Sequence, residues 1–580
     1  MITVKNLSYS FPEKDLYNKI SFTLEDGQHC AFIGTSGTGK STLVNILMEP
    51  EEYLYDGKIE IDPDCRIGYV SQFSTLDKEQ DITVYEYLSQ EFVKLQNEIE
   101  QICKEMETAT DFEELMERYQ KVLDTFSAVD GDNYENNITR SLNVANLGKL
   151  KDLKVSQLSG GEFKLIQVIK EMLMAPNLMI MDEPDVFLDF EHLNALMNLI
   201  NSHKGTMLVI THNRYLLNHC FDKILHLENK EIQEFEGNYI NYNFYLLQTK
   251  IELQELAAAD TEEIERNQKI VDQLRKEATM FTSATRGRAL HARVSFLERL
   301  EARRIKEPFV EIKQPDIHLG EVEEQEEEFI VLKVEDYGVS FDEMLLEHVN
   351  FELKSNEKVA LIGANGTGKT TLLRDIYRNE KDSIQISKES RVAFLSQMQG
   401  EMLNESNSIY DEFFEMGVET RQEIEEHLKK YSFEQEELNN KIGSMSGGEK
   451  NLLQLAKVEV SNANVLLLDE PTSHLDTYSQ IALEKAIDEY KGAVLMISHD
   501  FYTIANCMDY VLLIEDKTIR KMSIRRFRQM VYANHFDKDY LAMEQKKKEA
   551  ETKVSMALQD RNFERAKLLC EDLEEIIKKL

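Results

Sequence analysis

Apolar residues fall into short runs that occur in matched pairs along the chain. Cys30-Ala31-Phe32-Ile33 and Val359-Ala360-Leu361-Ile362 each lead into a glycine-rich turn. Leu178-Met179-Ile180-Met181 and Val465-Leu466-Leu467-Leu468 each end on an acidic pair. Such runs predict central parallel strands, buried on both faces, whose C-terminal ends present carboxylates where ligands sit in α/β sheets. A third pair, Ile67-Gly68-Tyr69-Val70 and Val392-Ala393-Phe394-Leu395, precedes Gln72 and Gln397. Elsewhere the spacing is helical. Leu88, Phe92, Leu95, Ile99, Ile102 and Met106 predict one helix, and a break follows at Thr108-Ala109-Thr110. Asp111-x-x-Glu114 resembles a capping box opening a second helix, with Phe112, Leu115, Met116, Tyr119 and Leu123 as its apolar trace. Together they predict a helical arm at about 86–128.

The arm is an insertion. Gln72 and Ser159 are 87 positions apart, whereas Gln397 and Ser446 are 49 apart, a difference of 38. From 239 to 308 the pattern predicts a linker of two long helices, marked by Ile264, Val271 and Leu274 and by Leu290, Val294 and Leu297. Thr282-Ser283-Ala284-Thr285-Arg286-Gly287 is the turn between them. An acidic run at 321–328 predicts a mobile tether over 309–328. The tail, 541–580, reads as one charged helix with Phe563, Ala566, Leu569 and Leu573 along its apolar side. The matched runs leave two large α/β domains, 1–238 and 329–540.

Motifs duplicate with the strands. Gly34-Thr35-Ser36-Gly37-Thr38-Gly39-Lys40-Ser41 and Gly363-Ala364-Asn365-Gly366-Thr367-Gly368-Lys369-Thr370 both fit the phosphate loop G-x-x-x-x-G-K-[ST]. Ser159-Gly160-Gly161-Glu162 and Ser446-Gly447-Gly448-Glu449 repeat, as do Asp182-Glu183-Pro184 with Asp469-Glu470-Pro471 and Thr211-His212 with Ser498-His499. The last three pairs share one separation, 287 residues. An ordered, duplicated series predicts two ATP-binding domains. In a phosphate loop, successive backbone N–H groups converge on the phosphates, and glycine lets the chain come that close. Lys40 and Lys369 are placed for the β- and γ-phosphates, and Thr42 and Thr371, next in sequence to Ser41 and Thr370, are further candidates for nucleotide contact. Ser41 and Thr370, with Asp182 and Asp469, would hold Mg²⁺. Glu183 and Glu470 would polarise the attacking water, and His212 and His499 would meet the γ-phosphate. Gln72 and Gln397 would complete the water and metal geometry. Phe11 and Phe341, 23 and 22 residues before their loops, are placed to stack on adenine.

Composition changes the picture in two ways. With 42% hydrophobic residues the chain can build sizeable cores, yet it has no run of the ~20 apolar residues that a membrane helix needs. Its first residues lead straight into a strand-like segment, so no secretory signal is expected. Six scattered cysteines, with no C-x-x-C, suit a reducing cytosol, and a cytoplasmic protein is expected. The formal net charge of −39 disfavours polyanionic partners in general, but one segment runs the other way. Between Arg275 and Lys306 stand nine basic residues, Arg275, Lys276, Arg286, Arg288, Arg293, Arg299, Arg303, Arg304 and Lys306, against three acids. Arginine dominates, as suits phosphate forks and base stacking on RNA. A smaller cluster, Arg520, Lys521, Arg525, Arg526 and Arg528, is a second candidate for RNA contact, though such a cluster is more often a solvated helix face.

The order phosphate loop, glutamine, S-G-G-E, D-E-P and histidine resembles the ATP-binding-cassette ATPases over most of both halves. That resemblance implies two cassettes facing head to tail, with Lys40 opposite Ser446 and Lys369 opposite Ser159, so that ATP holds the lobes together and hydrolysis lets them part. Two cassettes in one chain, an arm in the first and a helical linker between them resemble the ABC-F translation factors, whose EPTNHLD motif is close to Glu470-Pro471-Thr472-Ser473-His474-Leu475-Asp476. The resemblance implies binding at the ribosomal E site, with the linker directed at the P-site tRNA and the peptidyl-transferase centre. It also implies rRNA contact, a monomer pairing its own cassettes, and no membrane or DNA partner. One subset of the family protects ribosomes from antibiotics, and that is the outcome expected here, ahead of a housekeeping translation factor. A fused energising subunit of a membrane transporter explains the cassettes but neither the arm nor the cationic linker. The first half departs from the motif with Asp185, Val186 and Phe187, and with Asn213 where the second half has Asp500. Binding of ATP is expected at both sites, with turnover altered at the first.

Overall fold

A computed structural model describes residues 2–11, 15–63, 65–72, 80–107, 113–186, 188–280, 294, 314–322, 328–341, 344–533 and 538–580. The first cassette is built from β1 (Ile2–Ser10), β2 (Asp15–Leu24), β3 (His29–Ile33), β4 (Asp56–Ile61), β5 (Ile67–Val70), β6 (Leu178–Asp182), β7 (Thr206–Ile210), β8 (Lys223–Glu228) and β9 (Glu231–Glu236). Strands β2-β1-β4 form an antiparallel sheet, and β5-β6-β7-β3-β8-β9 form a larger one that is parallel except at β9. The second cassette repeats the plan with β10 (Ile330–Ser340), β11 (Met344–Lys354), β12 (Lys358–Ile362), β13 (Ile384–Ile386), β14 (Val392–Leu395), β15 (Val465–Asp469), β16 (Ala493–Ile497), β17 (Tyr510–Glu515) and β18 (Thr518–Ser523). Its sheet orders are β11-β10-β13 and β14-β15-β16-β12-β17-β18, the same orders strand for strand.

Strands β6, β7, β15 and β16 are buried at every residue, which is why their sequences are apolar runs and not alternating ones. In each cassette the two sheets share one core. Phe22, Phe32, Leu43, Ile180 and Leu208 lie in the first, and Tyr337, Leu361, Leu372, Leu467 and Leu495 in the second.

The arm consists of helices Val84–Met106 and Glu113–Ala128, tied by an Arg118–Glu98 ion pair of 2.9 Å. The first opens on a capping box formed by Thr83 and Glu86. The break at 108–110, with Asp111 and Phe112, lies outside the described residues. On the second helix the buried face is Val122 and Phe126, not Met116, which is half exposed. Leu115, Tyr119 and Leu123 of the expected trace are half-buried, and Phe126 packs against the turn at Gly131.

Residues 239–312 and 532–580 form a second compact unit. Helix Tyr239–Met280 is the first linker helix. The expected turn at 282–287 and the second linker helix lie outside the described residues, Val294 excepted, which is helical. The tail is two helices, Lys538–Gln559 and Phe563–Ile577, where one was expected. Arg561 takes a left-handed backbone, and Asn562 caps the second helix by accepting from the Arg565 N–H, so the chain folds back. The return lets Val554, Ala557, Ala566 and Cys570 bury a common core with Ile251. A single straight helix would leave that stripe in water.

The expected mobile tether is partly anchored. Ile317 and Leu319 are buried, Asp316 donates its N–H to the Lys430 carbonyl at 2.8 Å, and Tyr431 donates its hydroxyl to the His318 carbonyl at 2.8 Å. Residues 323–327 of the acidic run lie outside the described residues.

Candidate functional site

Each phosphate loop hands directly into a helix, Lys40–Met48 in the first cassette and Lys369–Arg378 in the second. Gly39 and Gly368 precede those helices at φ 100° and 91°, a left-handed backbone that favours glycine. The lysines are buried and fold back over their loops. Lys40 Nζ donates to the carbonyls of Gly34 and Thr35 at 2.9 Å, and Lys369 Nζ to those of Gly363 and Ala364 at 2.8 Å. Thr38 and Thr367 brace the loops by donating to the Thr35 and Ala364 carbonyls, both at 2.9 Å. Burial lowers the pKa of both lysines, and the surrounding carboxylates oppose it. The loops therefore concentrate cationic charge and N–H groups where an anion gains most.

Strands β6 and β15 deliver Asp182 and Asp469 to the same place. Ser41 hydrogen-bonds Asp182, and Thr370 donates to Asp469 Oδ1 at 3.2 Å. Asp182 Oδ1 and Asp469 Oδ2 are buried with no hydrogen-bond partner among the described residues. Burial raises both carboxyls, Asp469 to about 6. A hydroxyl beside a carboxylate with one bare oxygen fits a hard divalent cation. No group of three acidic, histidine or cysteine side chains that could hold a metal ion by itself occurs among the described residues, so the remaining ligands would be water and phosphate oxygen, as Mg²⁺ prefers.

The next residues, Glu183 and Glu470, take left-handed backbone at φ 45° and 50°, which turns their side chains off the strand ends. Gln72 Nε2 donates to Glu183 Oε2 at 2.5 Å. Glu470 Oε2 accepts from the His499 N–H at 3.2 Å, and His499 Nε2 lies 3.5 Å from Oε1. Burial alone would raise Glu183, but the His474 ring, then the charges of His212 and Lys40, outweigh it and hold the carboxyl at about 2. Glu470 goes the other way, pushed well above the usual carboxylate range by burial and then by Asp469. Burial and then the nearby Lys40 lower the His212 imidazole to about 4; burial and then Lys369 push His499 down to about 3.

The cassettes face each other head to tail. A cavity of about 590 Å³ is lined by Ser159, Gly160 and Gly161 of the first cassette and by Lys369, Thr370 and Glu470 of the second; Thr371, Gln397 and His499 also border it. On the other side Ser36 meets Gly448, and its N–H donates to Asp476 at 3.2 Å. The mirror contact joins the Asn365 N–H to Asp189 at 3.3 Å. Ser159 and Ser446 each cap the following helix in a box with Glu162 and Glu449, a second use of the S-x-x-E spacing. Thr42 sits beside Tyr17. Phe11 is half exposed, edge-on to Tyr9 at 5.3 Å, and Phe341 is largely exposed. Arg275 and Lys276 lie on the linker helix, while Arg286, Arg288, Arg293, Arg299, Arg303 and Arg304 lie outside the described residues.

The altered segment of the first half lies at the seam: Asp185 and Val186 border a cavity that also holds Glu183 and His212 of the first cassette and Lys369 and Glu470 of the second. Asn213, for its part, preserves what Asp500 does. Its Oδ1 accepts from the N–H groups of Tyr215 and Leu216, as Asp500 Oδ1 accepts from those of Tyr502 and Thr503.

Residues that the motifs did not mark also cross between cassettes. Arg214 donates to Glu484 and, at 3.0 Å, to Asp500, and its guanidinium lies 4.9 Å from the Tyr502 ring centre. Asn218 donates to the Tyr502 hydroxyl at 2.9 Å. Burial opposes the Arg214 charge, but Asp500 and Glu484 more than offset that and raise its pKa. The only available signal was position, directly after the histidine and asparagine. Lys164 and Asp185 form a further pair of differences. Lys164 donates to the Ser71 carbonyl at 2.5 Å and Asp185 accepts from Thr211 at 2.7 Å, where the second half has Asn451 and Thr472.

Two P-loop domains with one strand order, each completing the other's nucleotide cleft, define a tandem ATP-binding-cassette ATPase. The ABC transporter family model matches residues 17–186 and 346–473, just over half of the chain, and the chain belongs to that family, with two cassettes in tandem. It is 28% identical over 523 residues to the energy-dependent translational throttle protein EttA of Escherichia coli, covering 87% of this chain and 90% of that one. It is 28% identical to ABC transporter F family member 5 of Arabidopsis thaliana, covering 89% and 75%. Among solved structures, archaeal ribosome recycling factor aABCE1 shares the fold with a TM-score of 0.55 at 17% identity, covering 91% and 92%. The chain binds ATP and hydrolyses it. No helix among the described residues is long and apolar enough to cross a membrane.

Proposed function

We propose that the chain is an ATP-driven factor of the ribosome. It binds the E site with its cassettes closed on ATP and directs its linker at the P-site tRNA and the peptidyl-transferase centre. The observation that carries this reading is the pairing of a closable double cassette with a linker segment of nine basic residues and three acids in a chain of net charge −39. Such a segment supplies phosphate contacts that the acidic remainder confines to one surface. In this reading Glu183 and Glu470 orient the attacking water, with Gln72, Gln397, His212 and His499 around it. Lys40 and Lys369, the loop N–H groups and the opposite Ser446 and Ser159 bind the phosphates, and Phe11 and Phe341 meet adenine. Mg²⁺, held by Ser41, Asp182 and Gln72 and by Thr370, Asp469 and Gln397, supplies charge neutralisation at the phosphates when bound.

The effect on the ribosome is protection from drugs acting near the peptidyl-transferase centre. A housekeeping role in translation is the second reading, favoured by the translational throttle protein among the relatives. The test is co-sedimentation. Glu183→Gln with Glu470→Gln slows hydrolysis and spares phosphate contacts, so with ATP the double variant stays on 70S ribosomes and stops translation. If it sediments free of ribosomes at saturating ATP, the ribosome reading fails. Expression of the intact protein in a sensitive bacterium raises tolerance to at least one such drug, and neutralising Arg286 and Arg288 abolishes the gain. Ribosome binding without tolerance to any drug of a broad panel selects the housekeeping role.

A further inference from the structure

One side chain of the second cassette reaches into the first site. His474 stands four residues after Glu470 with φ 61°, a backbone that costs a non-glycine residue about 1–2 kcal/mol and persists only where its surroundings impose it. Three neighbours impose it here. Asn451 Nδ2 donates to the carbonyls of Pro471 at 2.9 Å and Ser473 at 2.8 Å, cinching the turn from inside. Ser36 of the first phosphate loop donates its hydroxyl to the His474 carbonyl at 3.4 Å and its N–H to Asp476 at 3.2 Å, docking the turn from outside. Gly447 lies against the ring, where a Cβ would come within 3.1 Å of His474 Cγ. Seated this way, His474 Nδ1 lies 3.6 Å from Glu183 Oε2, the oxygen that also accepts from Gln72.

The reciprocal position, 287 residues earlier, is Phe187, whose ring carries no nitrogen. The contacts to Glu470 described above come from His499 of its own cassette, and its Oε1 has no hydrogen-bond partner among the described residues. Among the described residues, the two carboxylates therefore differ in how many directions constrain them. Gln72 and the His474 ring approach one oxygen of Glu183 from opposite cassettes.

We propose that His474 is a positioning residue for Glu183, so that the second cassette completes the first ATPase site while the first cassette returns no equivalent group to the second. The proposal rests on the reading of Glu183 as the carboxylate that orients the attacking water. Because His474 is held by Gly447 of the nucleotide-facing S-G-G-E loop and by Ser36 of the opposite phosphate loop, Glu183 is fixed only while the two cassettes are apposed. Turnover at the first site is thereby tied to closure, and turnover at the second is governed from within its own cassette.

The experiment measures phosphate release by the full-length protein in a Glu470→Gln background, where the remaining turnover belongs to the first site. His474→Phe, which copies residue 187, lowers kcat about tenfold and moves KM by less than about twofold. His474→Gln, which keeps an N–H donor, recovers a substantial part of that loss, and melting temperatures of both variants stay together. A purely structural role would give no such rescue. Phe187→His in a Glu183→Gln background gives second-site turnover a gain of about threefold. The proposal is overturned by parental kcat in His474→Phe, by a loss confined to KM, by Gln behaving as Phe does, or by no gain from Phe187→His. Failure of the underlying reading looks different. If Glu183→Gln added to Glu470→Gln leaves turnover intact, Glu183 is not the water-orienting carboxylate, whatever His474 does.

Discussion

The two nucleotide sites share a strand order, a lysine folded over its loop and an aspartate with one bare oxygen, yet the glutamates beside those aspartates live in different fields. Around Glu183 are Gln72, a histidine from the other cassette and nearby cationic charge, and the carboxyl stays ionised. Around Glu470 are its own His499, the neighbouring Asp469 and burial, which push its carboxyl up. The difference goes with unequal segments that cross the interface. A duplicated motif set produces equal sites only if both copies of the segment that crosses over are equal, and residues 185–187 are not equal to residues 472–474.

The largest expected effect breaks this comparison directly. Glu183→Gln removes more steady-state ATPase than Glu470→Gln, by about tenfold, because the better-held carboxylate is the one lost. The motif departures read in sequence order had pointed the other way. Equal losses in a phosphate-release assay would mean that the two fields are kinetically equivalent.

Next in size is the clasp that keeps the cassettes apposed. Arg214 bridges to Glu484 and Asp500, and all three side chains are mostly buried. Arg214→Ala leaves two buried carboxylates without their cation and destabilises by about 3–5 kcal/mol. Thermal unfolding reads this as a clear drop in Tm, and an unchanged Tm would show that the clasp forms without stabilising the pair.

A smaller effect tests whether the first half's departures compensate one another. Lys164→Asn alone leaves buried Asp185 with less positive charge nearby and costs about 1–2 kcal/mol. Adding Asp185→Thr restores the arrangement of the second half and recovers about 1 kcal/mol of it in a double-mutant cycle. Simple additivity would mean that the two positions changed independently.

The smallest effect sharpens the same point through pH. Burial pushes Asp185 up to about 6, above its unfolded value of 3.8, so the folded state binds this proton more tightly. Its contribution is complete below the unfolded value and is lost as pH rises through 6. Asp185→Asn therefore gains stability relative to the parent between pH 4 and pH 7, on the order of 2 kcal/mol. A pH-independent difference between the two proteins would show that Asp185 is ionised throughout.

The apolar runs and duplicated motifs determined the two sheets, the phosphate loops and the strand-end carboxylates by themselves, because each depends on residues close in sequence. A glycine turn must follow a buried strand for the lysine to start its helix, and that constraint is written within ten residues. The arm and the first linker helix were legible for the same reason, through spacing along one element. Pairing across the cassettes was another matter. That Asp189 meets the second phosphate loop at Asn365, that His474 belongs beside Glu183 and that Arg214 meets Asp500 depends on surfaces brought together from 176 residues apart or more. The return of the tail likewise depended on Ile251 offering a face to Val554 and Ala566. Periodicity shows which side of an element is apolar; only tertiary packing decides what covers it, because burial is non-directional and any apolar face of the right size will serve.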